Sequence, residues 1–293
     1  MYIKRLSRDE FISKKTEIVD LLNQVFKGEK VYSNEYIDWK YLSGDELISY
    51  AAFDDDENII GLRLIFNFYE PYLDSDVKII QPADSAVKNE FHGRGIFNKL
   101  NLKFLDDLKA RNDDFIVMNF PNHNSINVYR KLGWNNEKIF SWHTGFIAWS
   151  FKKSLGVIHP LKKSSLNFID NNKLRQFILW RFCEHPTNDY YIYSLRKSYI
   201  VFKIEYKGYF KVCRVILIVL NEERIEVIND FLKGLSNINV RFITFLDSYK
   251  TFTNHFLKEC ICFKRKRKLN CLVNTSVSTK SINQIHLYHS DFI

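Results

Sequence analysis

The stretch from Asp84 to Leu100 constrains this chain more than any other. It reads Asp84-Ser-Ala-Val-Lys-Asn-Glu-Phe-His-Gly-Arg-Gly-Ile-Phe-Asn-Lys-Leu100, which predicts a strand ending near Val87, a polar turn with two glycines, and an amphipathic helix opening at Gly95. Such an order makes an anion site, because unpaired backbone N–H groups converge at the helix start and the helix dipole favours negative charge there. Gly93 and Gly95 let the backbone approach a phosphate with no Cβ in the way. Lys88 and Arg94 add positive charge, and a pyrophosphate is the natural guest.

Around this stretch the hydrophobic pattern predicts alternating helix and strand. The first 26 residues or so read as one amphipathic helix carrying Phe11, Ile12, Ile18, Leu21, Leu22, Val25 and Phe26, followed by a polar connection. Leu47–Phe53 and Ile59–Phe68 read as a hairpin around the acidic turn 54–58, and Val77–Val87 as a third strand. A helix to Arg111, a strand Phe115–Phe120, a short helix Ser125–Leu132 and strand material Glu137–Ser150 complete a first half. After a Lys-rich linker, Gly156–Ser165, the order restarts. Phe177-Ile-Leu-Trp-Arg-Phe-Cys echoes Tyr36-Ile-Asp-Trp-Lys-Tyr-Leu, and three strands, a helix, a strand and a helix follow between Tyr190 and Glu259. The expectation is an α/β chain with a mixed sheet, as two tandem domains at 1–150 and 151–293.

A second segment extends the first. Phe115-Ile-Val-Met-Asn-Phe-Pro-Asn122-His-Asn-Ser125-Ile-Asn-Val-Tyr129-Arg-Lys-Leu-Gly133-Trp134 reads as strand, Asn-rich turn, short helix and glycine stop. Together the two segments resemble the paired motifs of the GNAT superfamily of N-acetyltransferases. Its first motif, Arg/Gln-x-x-Gly-x-Gly/Ala, matches at His92, Gly95 and Phe97, with His for Arg or Gln and Phe for a small residue. Its second, Asn-x-x-Ala-x-x-x-Tyr-x-Lys-x-Gly-Phe, matches in register at Asn122, Ser125, Tyr129, Lys131, Gly133 and Trp134, with Ser for Ala and Trp for Phe.

The resemblance covers residues 1–150 and implies an acyl-CoA-dependent N-acyltransferase on a GNAT-like fold. It implies acetyl-CoA or another acyl-CoA as co-substrate, bound by Ala86, Val87 and Lys88 on the strand edge. His92, Gly93, Arg94, Gly95, Ile96 and Phe97 would hold it at the turn and helix start, with Asn122 and Ser125 on the second motif. Tyr129 would protonate the departing sulfur. Asp84 and His143 are candidates for the base, beside ordered water, with Glu90 and His123 in the same segments. The phrases Trp39-Lys-Tyr, Arg94-Gly-Ile-Phe97 and Asn119-Phe-Pro-Asn122 resemble longer, two-domain members tied to surface-polysaccharide and amino-sugar modification, which implies a nucleotide-linked amino sugar as acceptor. An aminoglycoside or protein N-terminus is the alternative acceptor, and a non-catalytic acyl-CoA sensor or scaffold the alternative class.

In the second half the corresponding turn, Asn221-Glu-Glu-Arg-Ile225, has no glycine and two carboxylates, which would repel a pyrophosphate. One coenzyme site per chain is therefore expected. Charge is also divided: residues 1–150 hold 19 Lys and Arg against 23 Asp and Glu, residues 151–293 hold 24 against 11. The basic second half suits an anionic partner. Its dense run, Lys264–Lys268, reads first as a solvated loop between strands and second as an attractor for a phosphate-bearing acceptor or a membrane surface; no aromatic signature accompanies it, so nucleic acid is not expected. Five cysteines without a C-x-x-C pair signal neither disulfides nor a metal site. A polar N-terminus and the lack of a long apolar run point to the cytoplasm.

Overall fold

The computed structural model describes residues 1–28, 31–69, 77–111, 114–121, 125–134, 136–148, 150, 152–220, 224–247, 250–259 and 261–275. It divides the chain into two compact units: Met1–Glu137 with the described part of Cys271–Gln284, and Lys138–Asn270. Each has its own apolar core.

The first unit begins with β1 (Tyr2–Arg5), α1 (Arg8–Ser13) and α2 (Lys15–Val25), where sequence predicted one helix. The helix breaks at Lys14, between α1 and α2, and Ser7 sets where α1 starts. Its hydroxyl accepts from the Glu10 N–H while Glu10 reaches back to the Ser7 N–H, so the helix starts at Arg8 and the four residues before it are left to pair with β2. The expected polar connection holds α3 (Asn34–Ile37) and a π-helical turn, Asp38–Leu42. Then come β2 (Ile48–Phe53), β3 (Ile59–Tyr69), β4 (Lys78–Val87), α4 (Ile96–Lys109), β5 (Phe115–Asn119) and α5 (Ile126–Lys131). Pairing is antiparallel from β1 to β4 and parallel between β4 and β5. Ile96, Leu100, Phe104 and Leu108, spaced by four, bury one stripe of α4. A Cβ at Gly61 would lie 2.7 Å from Ile96 Cγ2, so that glycine lets the first turn of α4 settle onto β3.

The second unit holds β6 (Asn136–Phe146), from Lys138 onward, and β7 (Val157–Pro160), which occupies part of the expected linker because it pairs with β8. α6 (Asn172–Ile178), a second π-turn (Leu179–Cys183), β8 (Tyr191–Leu195), β9 (Ser198–Lys207), β10 (Phe210–Val219), α7 (Arg224–Asn237), β11 (Phe242–Leu246), α8 (Lys250–Glu259) and β12 (Ile261–Thr275) follow. The order repeats that of the first unit, down to 14-residue helices α4 and α7 and a parallel pair, β10 with β11. Trp39-Lys40 and Trp180-Arg181 stand at matching places in the two π-turns, with Lys40 and Arg181 buried.

The last strand of each repeat joins the other unit. β6, which follows α5, pairs with β11 from Trp142 to Phe146; β12, which follows α8, pairs through Leu272–Thr275 with β5. The units therefore differ from a division at residue 150 by Lys138–Ser150 and by the returning strand. The basic run Lys264–Lys268 lies within β12 and not in a loop, and Arg265 donates from Nε to Thr144 Oγ1 at 2.6 Å.

Candidate active site

Two irregularities of β4 shape the site. Its parallel pairing with β5 stops at Ile80 and Val117, so among the described residues no strand pairs with β4 beyond Ile80 on that side. Its pairing with β3 skips a residue: Leu64 faces Ala83 and Arg63 faces Ser85, leaving Asp84 as a bulge at φ +22°. The Lys88 N–H donates to Ile60 O, toward β3. Backbone groups alternate sides along a strand, so the Ala86 N–H also points to β3, and Val87 turns its N–H to the open side. Of the three strand residues expected to meet the pantetheine arm, Val87 has the free geometry.

The turn after β4 is exposed, as a ligand cradle must be. Gly93 and Gly95 sit at φ +77° and +73°, the left-handed region, with nothing within 4 Å of a built Cβ. Glycine is needed there for backbone conformation and not for room. His92, at the position of the expected Arg or Gln, brings Nε2 within 2.9 Å of Val87 O and closes the turn. The Arg94 guanidinium lies 4.9 Å from the Phe91 ring centroid. The first helical bond of α4 runs from Lys99 N–H to Gly95 O, so the N–H groups of Ile96, Phe97 and residue 98 precede the ladder and face the turn. Ile96 itself is buried in the core.

α5 starts at Ser125, whose carbonyl accepts from the Val128 and Tyr129 N–H groups. Asn122 and His123 lie outside the described residues. Tyr129 is 4% exposed; Phe97 meets its ring edge-on at 6.0 Å, and Trp134 packs at 5.2 Å. Its hydroxyl oxygen accepts a hydrogen bond from Arg63 Nη1 at 3.0 Å.

The two base candidates lie in different units. Asp84 accepts from Tyr32 (2.8 Å), Lys40 (2.5 Å) and Tyr41, with the Lys40 side chain wholly buried against the Tyr36, Tyr41 and Phe66 rings. Burial, reinforced by the Asp84 carboxylate, pushes the Tyr41 phenol well above its usual pKa. His143, on β6 in the second unit, stacks on Phe245 at 5.4 Å and holds Nε2 3.7 Å from Asp247 Oδ2. Glu90 is exposed in a short 3-10 turn. Arg63, a charge set in an apolar run, did not stand out in the sequence, and Asp84 stood out only as a base candidate and not as the partner of Lys40. The turn Asn221–Glu223 lies outside the described residues. Among the described residues no cluster of His, Cys, Asp and Glu could hold a metal ion, and no helix is long and apolar enough to cross a membrane.

A strand that parts from its parallel neighbour, a bulge, a glycine turn feeding a helix start and a tyrosine on the next helix all lie in the first unit. Residues 5–136 match the family model described as an acetyltransferase (GNAT) domain, the domain of acyl-CoA-dependent N-acyltransferases. GNAT acetyltransferases use acetyl-CoA as co-substrate and act on small-molecule amines. The whole fold is similar to a conserved protein of unknown function from Enterococcus faecalis V583, at a TM-score of 0.64 and 13% identity over 92% of this chain and 71% of that one. GCN5-related N-acetyltransferases from Anabaena variabilis (TM-score 0.64, 13% identity, 93% of this chain and 72% of that one) and Kribbella flavida (0.59, 12%, 94% and 71%) share it too. No curated protein matches the sequence.

Proposed function

We propose that the chain transfers an acetyl or short acyl group from acyl-CoA to the primary amine of a nucleotide-linked amino sugar. The observation that carries the transfer chemistry is Tyr129, a buried phenol beside the parted end of β4, whose oxygen is already held by Arg63. In this reading the Val87 N–H polarises the thioester carbonyl, the turn Gly93–Gly95 with the first N–H groups of α4 and Arg94 binds the pyrophosphate, and Tyr129 protonates the leaving thiolate. Asp84, engaged by Lys40 and two phenols, fixes the bulge that shapes the strand. The amine proton passes to water.

The basic balance of residues 151–293 supports an anionic acceptor over a polycation. Turnover against a panel of nucleotide-linked amino sugars, aminoglycosides and peptide N-termini tests the acceptor, and preference for an aminoglycoside would overturn it. Tyr129→Phe is expected to lower kcat roughly 100-fold, the low end for a lost general acid, while acetyl-CoA still raises the melting temperature. Full activity in that variant would remove Tyr129 as the acid.

A further inference from the structure

Arg63 lies in β3 and is 0% exposed. Its Nη1 donates to Tyr129 Oη at 3.0 Å and to Ser85 Oγ at 3.2 Å, and the Ser85 hydroxyl passes its own proton to Ala83 O at 3.1 Å. Nε and Nη2 have no hydrogen-bond partner among the described residues. The guanidinium is wrapped by the Phe97, Phe104 and Tyr129 rings at 5.4–5.8 Å from their centroids. No carboxylate among the described residues pairs with it.

The bulge in β4 produces this arrangement. A regular register running on from Leu64–Ala83 would set Asp84 opposite Arg63 and neutralise it. The extra residue puts Ser85 there and gives the carboxylate to Lys40. The two buried cations of this unit thus have opposite fates: Lys40 is paired, and Arg63 keeps its charge directed at a phenol and a hydroxyl. An unpaired buried cation is costly, and an apolar residue of similar size would be at least as stable.

We infer that Arg63 is the positioning residue for Tyr129, an inference that rests on the assignment of Tyr129 as the acid. A guanidinium only donates, so the Tyr129 O–H cannot point at it and must turn elsewhere, toward the departing sulfur. In the step itself the amine nitrogen bonds to the thioester carbon and gives up one proton to water, and the C–S bond breaks. Sulfur takes the electron pair and the Tyr129 proton, and the phenolate left behind sits 3.0 Å from a fixed positive charge until a solvent proton returns.

The test compares Arg63→Met, Arg63→Lys, Tyr129→Phe and the double variant Arg63→Met/Tyr129→Phe in the full-length chain. Arg63→Met keeps volume and removes charge, so the protein folds. Its kcat should fall roughly 10- to 100-fold with KM for acetyl-CoA unchanged, and Arg63→Lys should recover part of the loss. Because Arg63 acts through Tyr129, the double variant should be no slower than Tyr129→Phe alone. Wild-type kcat in Arg63→Met, or losses that multiply in the double variant, would overturn the inference. Full kcat in Tyr129→Phe would instead overturn the acid assignment beneath it. A readout free of turnover is the guanidinium signal in 15N-arginine-labelled protein, identified by its absence in Arg63→Lys. It should move in Tyr129→Phe; a signal that stays put denies the contact.

Discussion

Three residues in the first unit shape its open strand and the turn after it: Lys40, Asp84 and Gly95. The Lys40–Asp84 pair is buried with two phenols on the same carboxylate, so removing the cation leaves a buried charge held by neutral donors. Lys40→Met is therefore expected to cost about 3–5 kcal/mol in urea unfolding, with Asp84→Asn added to it restoring part of the loss. Gly95→Ala places an L side chain at φ +73°. It should destabilise by about 1–2 kcal/mol and raise KM for acetyl-CoA more than it lowers kcat, measured by steady-state kinetics. At this scale the sequence was informative where a motif gave both residue type and spacing, as at Gly93, Gly95 and Tyr129. It was silent on Arg63 and Lys40, because nothing in a one-dimensional pattern tells a buried charge from an exposed one in a strand or a short turn.

Among the elements, β4 owes its shape to the end of its pairing with β5 at Ile80 and to one added residue, Asp84. The far end of the same sheet is held by Glu46, which joins Arg5 on β1, Lys78 at the start of β4 and Arg111 after α4 at 2.9 Å each. Burial opposes its charge, yet the bonds from Arg111 and Lys78 prevail and hold the carboxyl at about 2. A carboxyl depressed on folding gives stability that is complete above the unfolded value near 4.5 and fades as pH falls toward 2. The melting temperature should drop across that window, and Glu46→Gln should flatten the drop while lowering the plateau at neutral pH. Helices and strands of this unit were largely legible from their apolar periods. The start of the first helix at Arg8 was written in the capping pair Ser7 and Glu10, whereas the π-turns have no period of their own to read.

For the molecule as a whole, the exchange of final strands makes each repeat depend on a distant part of the chain. Leu272, wholly buried, pairs opposite Asn119 in a core made otherwise from residues before 137. A protein ended after residue 150 keeps β6 but loses Cys271–Thr275, and it should show no cooperative urea transition by near-ultraviolet circular dichroism. Leu272→Ala in the full chain should destabilise the first unit by about 2–5 kcal/mol; an independent, cooperatively folded 1–150 would refute the exchange. The sequence by itself determined the α/β class, the repeat of element order and the glycine turn with its tyrosine, because apolar period and motif spacing are local properties of a chain. Only the tertiary structure decided which unit each last strand joins, where β4 bulges and parts from β5, and which buried cation receives the carboxylate. Strand partners and register are set by side chains far apart in sequence packing on one face, and a shift of one residue redirects every side chain beyond it.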